Sequence, residues 1–296
     1  MVRRYFLLMV GVFACSTSAV LIKESHTQPM VLTALRLIVA VALLSPFLKG
    51  ERDRHRGVFT REHLRRTRLP AAVLAVHLIT WTLAARMTTA AQASMIVNMV
   101  PAAIPFFLHW IAAERINGAE IAGTALVLIG MAVLFVRDAL SATGSAWGNG
   151  LCLISMLLFA WYLALGRRNR DFPTVWLYVG PVYAQAAAVC LLVALPWVAD
   201  FDYHSAREWS LILGLALVPT LAGHSLLNGA MRRLRGQVVS LCNVSQFLFA
   251  GVMGYFLFGE IPPLAFYVAT ALAVAGVALV ILAEPAAAAS PSSPPA

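Results

Sequence analysis

Apolar and polar positions in this chain do not alternate. They come in blocks, and ten apolar blocks stand out, at 5–22, 29–48, 69–85, 90–111, 119–136, 147–166, 173–198, 209–230, 237–258 and 262–283. A helix needs about 20 mostly apolar residues to cross the hydrocarbon core of a bilayer. A membrane-spanning barrel strand would instead alternate lipid-facing and lumen-facing residues. Continuous runs therefore predict helices, whose backbone groups are satisfied within each segment. The expected fold class is an all-α integral membrane protein with ten transmembrane helices. The connections are too short to hold a soluble catalytic domain.

Composition sharpens this reading. Of 296 residues, 60% are hydrophobic and 12% charged, where a soluble domain carries roughly 25% charged residues. The beginning, "MVRRYFLLMVGVFACS", has the basic start and apolar core of a signal peptide. Its apolar run continues to Ile22, so an uncleaved first helix is expected. Cys15, Cys152, Cys190 and Cys242 all fall inside apolar blocks. They are expected to pack as small apolar residues, with no metal-ligand spacing and no cofactor.

The net charge of +9 would suit a nucleic-acid partner, but its distribution argues otherwise. With the N-terminus placed inside the cell, one side of the membrane receives Arg3, Arg4, the basic residues from Lys49 to Arg68, Arg115, Arg167, Arg168, Arg170, Arg232, Arg233 and Arg235. The other side receives only Lys23, Arg86, Arg137 and Arg207. This is the positive-inside bias. It predicts a multi-pass protein of a bacterial inner membrane with both termini inside, contact with anionic lipid through the 49–68 loop, and no nucleic-acid partner. The low-complexity tail, 284–296, is expected to be disordered and cytoplasmic.

The chain also repeats itself. A shift of 146 residues lays Glu114 on Glu260, Ser94 on Ser240 and Gly130 on Gly276. The implied halves are 1–140, with spans one to five, and 147–283, with spans six to ten. Five is odd, so the second copy must enter the membrane from the opposite side. Inverted repeats of this kind are typical of secondary transporters: if each half adopts two shapes, exchanging them turns an inward-open cavity into an outward-open one.

The segments "AARMTTAAQASMIVNMVPAAIPFFLHWIAAERINGAEIAGTALVLIGMAVLF" and "PTLAGHSLLNGAMRRLRGQVVSLCNVSQFLFAGVMGYFLFGEIPPLAFYVATALAVAGVALVIL" resemble the EamA repeat of the drug/metabolite transporter superfamily. "TSAVLIKES" is similar to the end of that family's first helix, and "WYLALGRR" to the end of its sixth. "LTALRLIVA" is similar to its second helix and puts Arg36 at a usual basic position. The resemblance implies a ten-helix exporter of small molecules and leans toward a structural role for Arg36. The chain departs from the family pattern at Cys15, where tryptophan is frequent, and at Gln246-Phe247, where a Glu-Pro pair is usual. Substrate assignments tied to those positions do not carry over.

A pathway needs polar groups or freed backbone deep in the bilayer. In the fourth span, Pro101 and Pro105 each remove a helical hydrogen bond, which should free the Val97 and Pro101 carbonyls beside Asn98. His77 and Trp81 share a face of the third span, and His224 and Asn228 share a face of the eighth; the two pairs fall within one residue of repeat equivalence. Ser240, Asn243 and Gln246 form a polar stripe in the ninth span, and Tyr162 lies in the sixth. The substrate-pathway candidates are thus His77, Trp81, Asn98, Pro101, Tyr162, His224, Asn228, Asn243 and Gln246. Each has the plainer alternative of a helix–helix hydrogen bond or a packing kink. Arg36 either attracts a substrate carboxylate or serves as a structural charge, since intramembrane charge faces the protein interior or water.

All 13 acidic residues sit near span ends or outside the spans. An exporter of lipophilic cations that trades a proton for its drug needs a buried carboxylate, and none is visible. The expected function is a secondary transporter that exports a small polar or zwitterionic, amino-acid-like metabolite by alternating access. A multidrug or cationic-compound exporter is the alternative within transport, and a membrane sensor or scaffold the alternative outside it. His55 and His63 have irregular spacing in an arginine-rich stretch, so no catalytic residue and no enzyme activity are expected. A homodimer stays open.

Overall fold

The computed structural model describes residues 2–57, 60–88, 90–140, 145–259 and 261–288. Among them there is no strand. The first three spans are single helices, Val2–Glu24, Pro29–Arg54 and Arg61–Met87. The fourth is broken into Ala90–Val97 and Val100–Ala112, and the fifth is Gly118–Leu140. The sixth is Ala146–Arg168; the seventh, Val175–Ala194, ends in a tight turn, Leu195–Asp200. The eighth runs Ala206–Leu215, Ala216–His224 and Ser225–Met231 with a change of helical type in the middle. The ninth is broken into Gly236–Val244 and Gln246–Phe258, and the tenth is Leu264–Ala288. Nine of these spans are long and apolar enough to cross a membrane among the described residues, and the apolar part of the fifth, Gly118–Val133, is shorter. Glu260 and the tail from 289 onward lie outside the described residues; the last helix continues through Ala288.

The stretch expected as a loop at 49–68 is mostly helix. The second span runs on to Arg54, and the third begins at Arg61, with Thr60 Oγ1 accepting from His63 N at 3.2 Å. Arginine, lysine and glutamate are good helix formers, so a helix need not stop where the hydrocarbon does. Glu51 and Arg54, one turn apart, add a surface ion pair at 3.2 Å. Side-chain caps also open the sixth, seventh and eighth spans, from Ser145, Thr174 and Ser205. Each satisfies one of the orphan N–H groups of a helix start.

The two halves are inverted copies of each other. The fifth and tenth spans pack so closely that a Cβ on Gly123 would lie 2.7 Å from the Gly276 carbonyl oxygen, and one on Gly130 would lie 3.0 Å from that of Ala269. One partner number rises while the other falls, so the pair is antiparallel. Shifting Gly123 and Gly130 by 146 residues gives Ala269 and Gly276, which makes the two contacts the same contact related by a two-fold axis in the membrane plane. Left-handed backbone repeats with the same shift, at Ala113 (φ 52°) and Gly259 (φ 65°). Each ends a broken span just before the glutamate that the sequence repeat superposes.

Polarity is arranged for a bilayer. Trp147, Phe256 and Leu264 are each more than three-quarters exposed, an apolar rim that lipid covers and water would not. The largest fully buried side chains are Arg36, Tyr162, Tyr178 and Tyr183. Polar groups therefore concentrate inward, where a bundle can pair them or use them.

Candidate functional site

The fourth and ninth spans both break near mid-membrane, at repeat-equivalent places. In the fourth, helix stops at Val97 and resumes at Val100, with Pro101 and Pro105 beyond. In the ninth it stops at Val244 and resumes at Gln246, with no proline at all. The breaks meet. Asn243 Nδ2 donates to Asn98 Oδ1 at 3.1 Å, Gln246 Nε2 donates to Asn243 Oδ1 at 2.5 Å, and Asn98 Nδ2 donates to the Ser94 carbonyl at 2.7 Å. This chain of amides joins the halves across their symmetry axis. The Pro101 carbonyl freed by Pro105 accepts from Gln237 Nε2 of the ninth span at 3.2 Å, so the lost helical bond is replaced by one between repeats.

Beside this crossing lies a cavity of about 30 Å³, lined by Cys15, Ser18, His77, Trp81, Val97, Asn98, Phe159, His224 and Gln246. That volume holds one or two water molecules. The rings of His77 and His224 meet edge-on at 6.2 Å between centroids, and Phe159 packs on both, at 4.8 and 5.6 Å. His77 is oriented from behind, its Nδ1 2.9 Å from Ser155 Oγ. His224 Nδ1 has no hydrogen-bond partner among the described residues. Trp81 Nε1 donates to Ser18 Oγ at 3.1 Å and thereby ties the first span to the third.

His77, Trp81, Asn98, His224 and Gln246 are thus brought to one wall. Four other candidates stand behind it. Asn243 holds Asn98 and Gln246 in place, and Pro101 contributes its carbonyl to Gln237. Tyr162 Oη accepts from Asn228 Nδ2 at 2.8 Å, and its ring lies 6.0 Å from that of His224. Arg36 does not line the cavity; its Nε and Nη2 reach Thr220 Oγ1 at 3.1 and 2.9 Å. The sequence reading missed Cys15, Ser18 and Phe159, small or apolar residues whose place follows only from packing. It also missed Gln237, although that side chain lies three residues before Ser240 on the same polar stripe.

Both ends of the bundle are tied. On the face where the second span ends at Arg54 and the third begins at Arg61, here called the basic face, Arg167 Nε donates to Glu114 Oε2 at 2.7 Å, and its Nη1 reaches the Met231 and Leu234 carbonyls, both at 2.8 Å. Glu114 Oε1 accepts from Gly236 N at 2.7 Å. On the opposite face, Glu208 accepts from Ser25 Oγ at 2.5 Å, Thr27 Oγ1 at 2.6 Å and His26 N at 3.0 Å. One device is shared by the faces. Arg86 closes the third span by donating to the Ser25 carbonyl at 2.8 Å, and Arg232, its equivalent at a shift of 146, donates to the Phe172 carbonyl.

The profile of the EamA-like transporter family matches residues 3–136 and, again, residues 146–282. The chain belongs to the EamA-like transporter family. A curated relative in this setting is an uncharacterized transporter of Archaeoglobus fulgidus, 26% identical over 191 residues. The match covers 64% of this chain and 66% of the relative, so the chain spans just under two-thirds of the curated relative it matches. A solved crystal structure superposes with a TM-score of 0.74, covering 95% of this chain and 97% of that one at 19% identity. At that identity the likeness speaks for the fold alone. The double match agrees with the two inverted copies, and the fold makes this a multi-pass membrane protein.

Proposed function

We propose that this protein is a secondary transporter that exports a small polar or zwitterionic, amino-acid-like metabolite by alternating access. The observation that carries the reading is the central cavity. It lies where the breaks of the two inverted repeats meet, its lining holds no aspartate, glutamate, lysine or arginine, and both ends of the bundle above and below it are tied. At about 30 Å³ it is contracted. Substrate enters when the ties on one face open, and it leaves when the halves exchange shapes. The positive-inside bias supports a bacterial inner-membrane location with both termini inside and the basic face toward the cytoplasm. Metabolite and lipid are the partners; the lipid-facing rim leaves room for a homodimer.

The cavity lining argues against the cation-exporter alternative, because no carboxylate is among the residues that form it. The test is efflux and exchange in proteoliposomes with a panel of amino acids, other small metabolites and lipophilic cations. His224→Ala and Asn98→Ala should abolish most of the flux while the protein still reaches the membrane. Normal flux in both variants would remove the cavity from the pathway. Resistance to lipophilic cations that depends on one carboxylate would favour the alternative.

A further inference from the structure

Arg36 is a charged side chain about two turns into the second span, only 1% exposed. Its guanidinium carries five donors in a planar fork. Nε and Nη2 are both spent on one neutral oxygen, Thr220 Oγ1, which in turn donates to the Leu215 carbonyl at 2.7 Å. Nη1 has no partner. Among the described residues no carboxylate is paired with Arg36; the ion pairs there all involve other arginines. A buried charge without a counter-charge is costly, and an unmade buried hydrogen bond adds to that cost.

The surroundings place this unpaired donor next to the cavity. Thr220 sits in the wide-turned segment of the eighth span, Ala216–His224, a helical form that recurs at functional sites. Cys15, which lines the cavity, donates to the Pro219 carbonyl beside it. Four residues after Thr220 comes His224, on the cavity wall, with its own unpartnered Nδ1. Asn228 Oδ1, four residues further, is also unpartnered. The third span, the repeat equivalent of the eighth, is plain α-helix throughout, and none of its mid-span polar atoms is left in this state. Two unmet polar atoms, on His224 and Asn228, thus lie along one side of the eighth span, and Thr220 of the same span joins that side to the cation of the second; among the described residues Tyr178 Oη in the seventh span and Thr270 Oγ1 in the tenth are unmet as well.

We propose that the transported metabolite carries a carboxylate and that Arg36 is the group that binds it, with His224 as the next contact toward the cavity. Resting on the transport reading above, this narrows it to a carboxylate-bearing substrate. A carboxylate offers two oxygens at the spacing of the guanidinium fork. It would supply the counter-charge that the bundle omits and take up the idle Nη1. Thr220 holds the guanidinium in register while the site is empty. Widening of the cavity between the first and eighth spans, at the Cys15–Pro219 contact, brings the carboxylate to the fork.

The test pairs binding with flux, using purified full-length protein verified as folded in detergent. The probes are small amino acids and 2-oxo acids, with the methyl ester and amide of each. Carboxylates should raise the melting temperature while their esters and amides do not. In proteoliposomes the same acids should exchange, and the esters should not compete. Arg36→Gln should weaken carboxylate binding on the order of a hundredfold. Arg36→Lys keeps the charge without the fork and should lose less. The ester comparison uses the unaltered protein and so survives any folding defect in the variants. Esters acting as well as acids, or acids acting equally on Arg36→Gln, would overturn the proposal. Flux of some compound without any carboxylate effect would overturn it and leave the transport reading standing. Arg36-dependent stabilisation by acids without flux of any compound would keep the anion site and remove transport. No stabilisation and no flux would remove both.

Discussion

The two ends of this bundle are each closed by a glutamate, yet the glutamates are used differently. Glu114, on the basic face, is about one-tenth exposed and meets Arg167, itself equally buried. The pair joins the end of the fourth span to the end of the sixth, and Arg167 adds the eighth through two carbonyls. Glu208, on the opposite face, touches Arg207 only at 3.3 Å. Its shorter bonds all come from neutral donors in residues 25–27, between the first and second spans. One end is thus tied by paired charge, the other by a carboxylate that a loop wraps. Removing a partner from the first kind strands a charge, whereas neutralising the second kind only weakens several hydrogen bonds. An exchange of shapes between inverted halves breaks one set and keeps the other, so the two ends need not open at equal cost.

Arg167→Ala should have the largest effect. It leaves Glu114 without a cation and the Met231 and Leu234 carbonyls without a donor. Breaking one side of a buried pair costs about 3 kcal/mol, which thermal unfolding in detergent would register. In a protein whose only cysteine is Cys15, the thiol in the cavity wall should then react faster with membrane-impermeant reagents added from the basic face. Unchanged labelling would mean that this pair does not close that end.

Glu208→Gln comes next. The amide keeps one acceptor oxygen but loses its charge, and hydrogen bonds to a charged group are worth about 1.5–3 kcal/mol before such replacement. A loss of about 1 kcal/mol is expected. Cys15 labelling should rise from the face opposite to that opened by Arg167→Ala. Faster labelling from the same face for both variants would erase the distinction between the two ends.

Between the ends, Asn243→Leu tests the crossing of the repeats. It removes both the bond to Asn98 and the acceptor for Gln246. Interhelical hydrogen bonds in membranes average about 0.6 kcal/mol and reach about 1.7, so the variant should fold with a small loss. Labelling of Cys15 should change from both faces alike, because the crossing belongs to neither end. A one-sided change would place the amide chain in one of the ties.

The sequence made the fold legible because its signals were strong and local. Long apolar blocks, the 146-residue shift and the charge asymmetry each follow from physics that acts within a segment or a half. Prolines announced the break in the fourth span. The break in the ninth carries no such mark: at Ser245 the helix tightens into a turn in which Ser245 N donates to the Cys242 carbonyl at 3.1 Å, and no proline or glycine stands there to announce it. The polar helix ends at 49–68 read as loop because hydropathy tracks the membrane rather than the helix. Of the site, the histidines and amides were visible as polar residues in apolar surroundings. Cys15, Ser18 and Phe159 were not, since small and apolar residues look alike whether they face a cavity, a neighbouring helix or lipid. Arg86 and Arg232 were legible as equivalents under the same shift that revealed the glutamates; what hid them was their position at span ends, where a basic residue reads as a topology signal.

The smallest effect belongs to a second charge pair on the basic face, and it checks that exposure rather than charge sets the scale there. Arg66 Nη2 meets Asp171 Oδ1 at 2.7 Å, with the carboxylate 60% exposed. The Arg66 guanidinium bonded to Asp171 holds its carboxyl below the ordinary value of 3.8. A depressed carboxyl contributes stability that is present above its unfolded value and disappears as pH falls through the lower folded value. The pair should therefore add nothing to any change in melting between about pH 6 and 8, and its contribution should fade only below about pH 4. Because water screens so exposed a pair, Asp171→Asn at neutral pH should cost less than about 1 kcal/mol, and Cys15 labelling should stay as it is from either face. A loss as large as that from Arg167→Ala would mean that the loop after the sixth span, rather than the Glu114 corner, is what keeps the basic face shut.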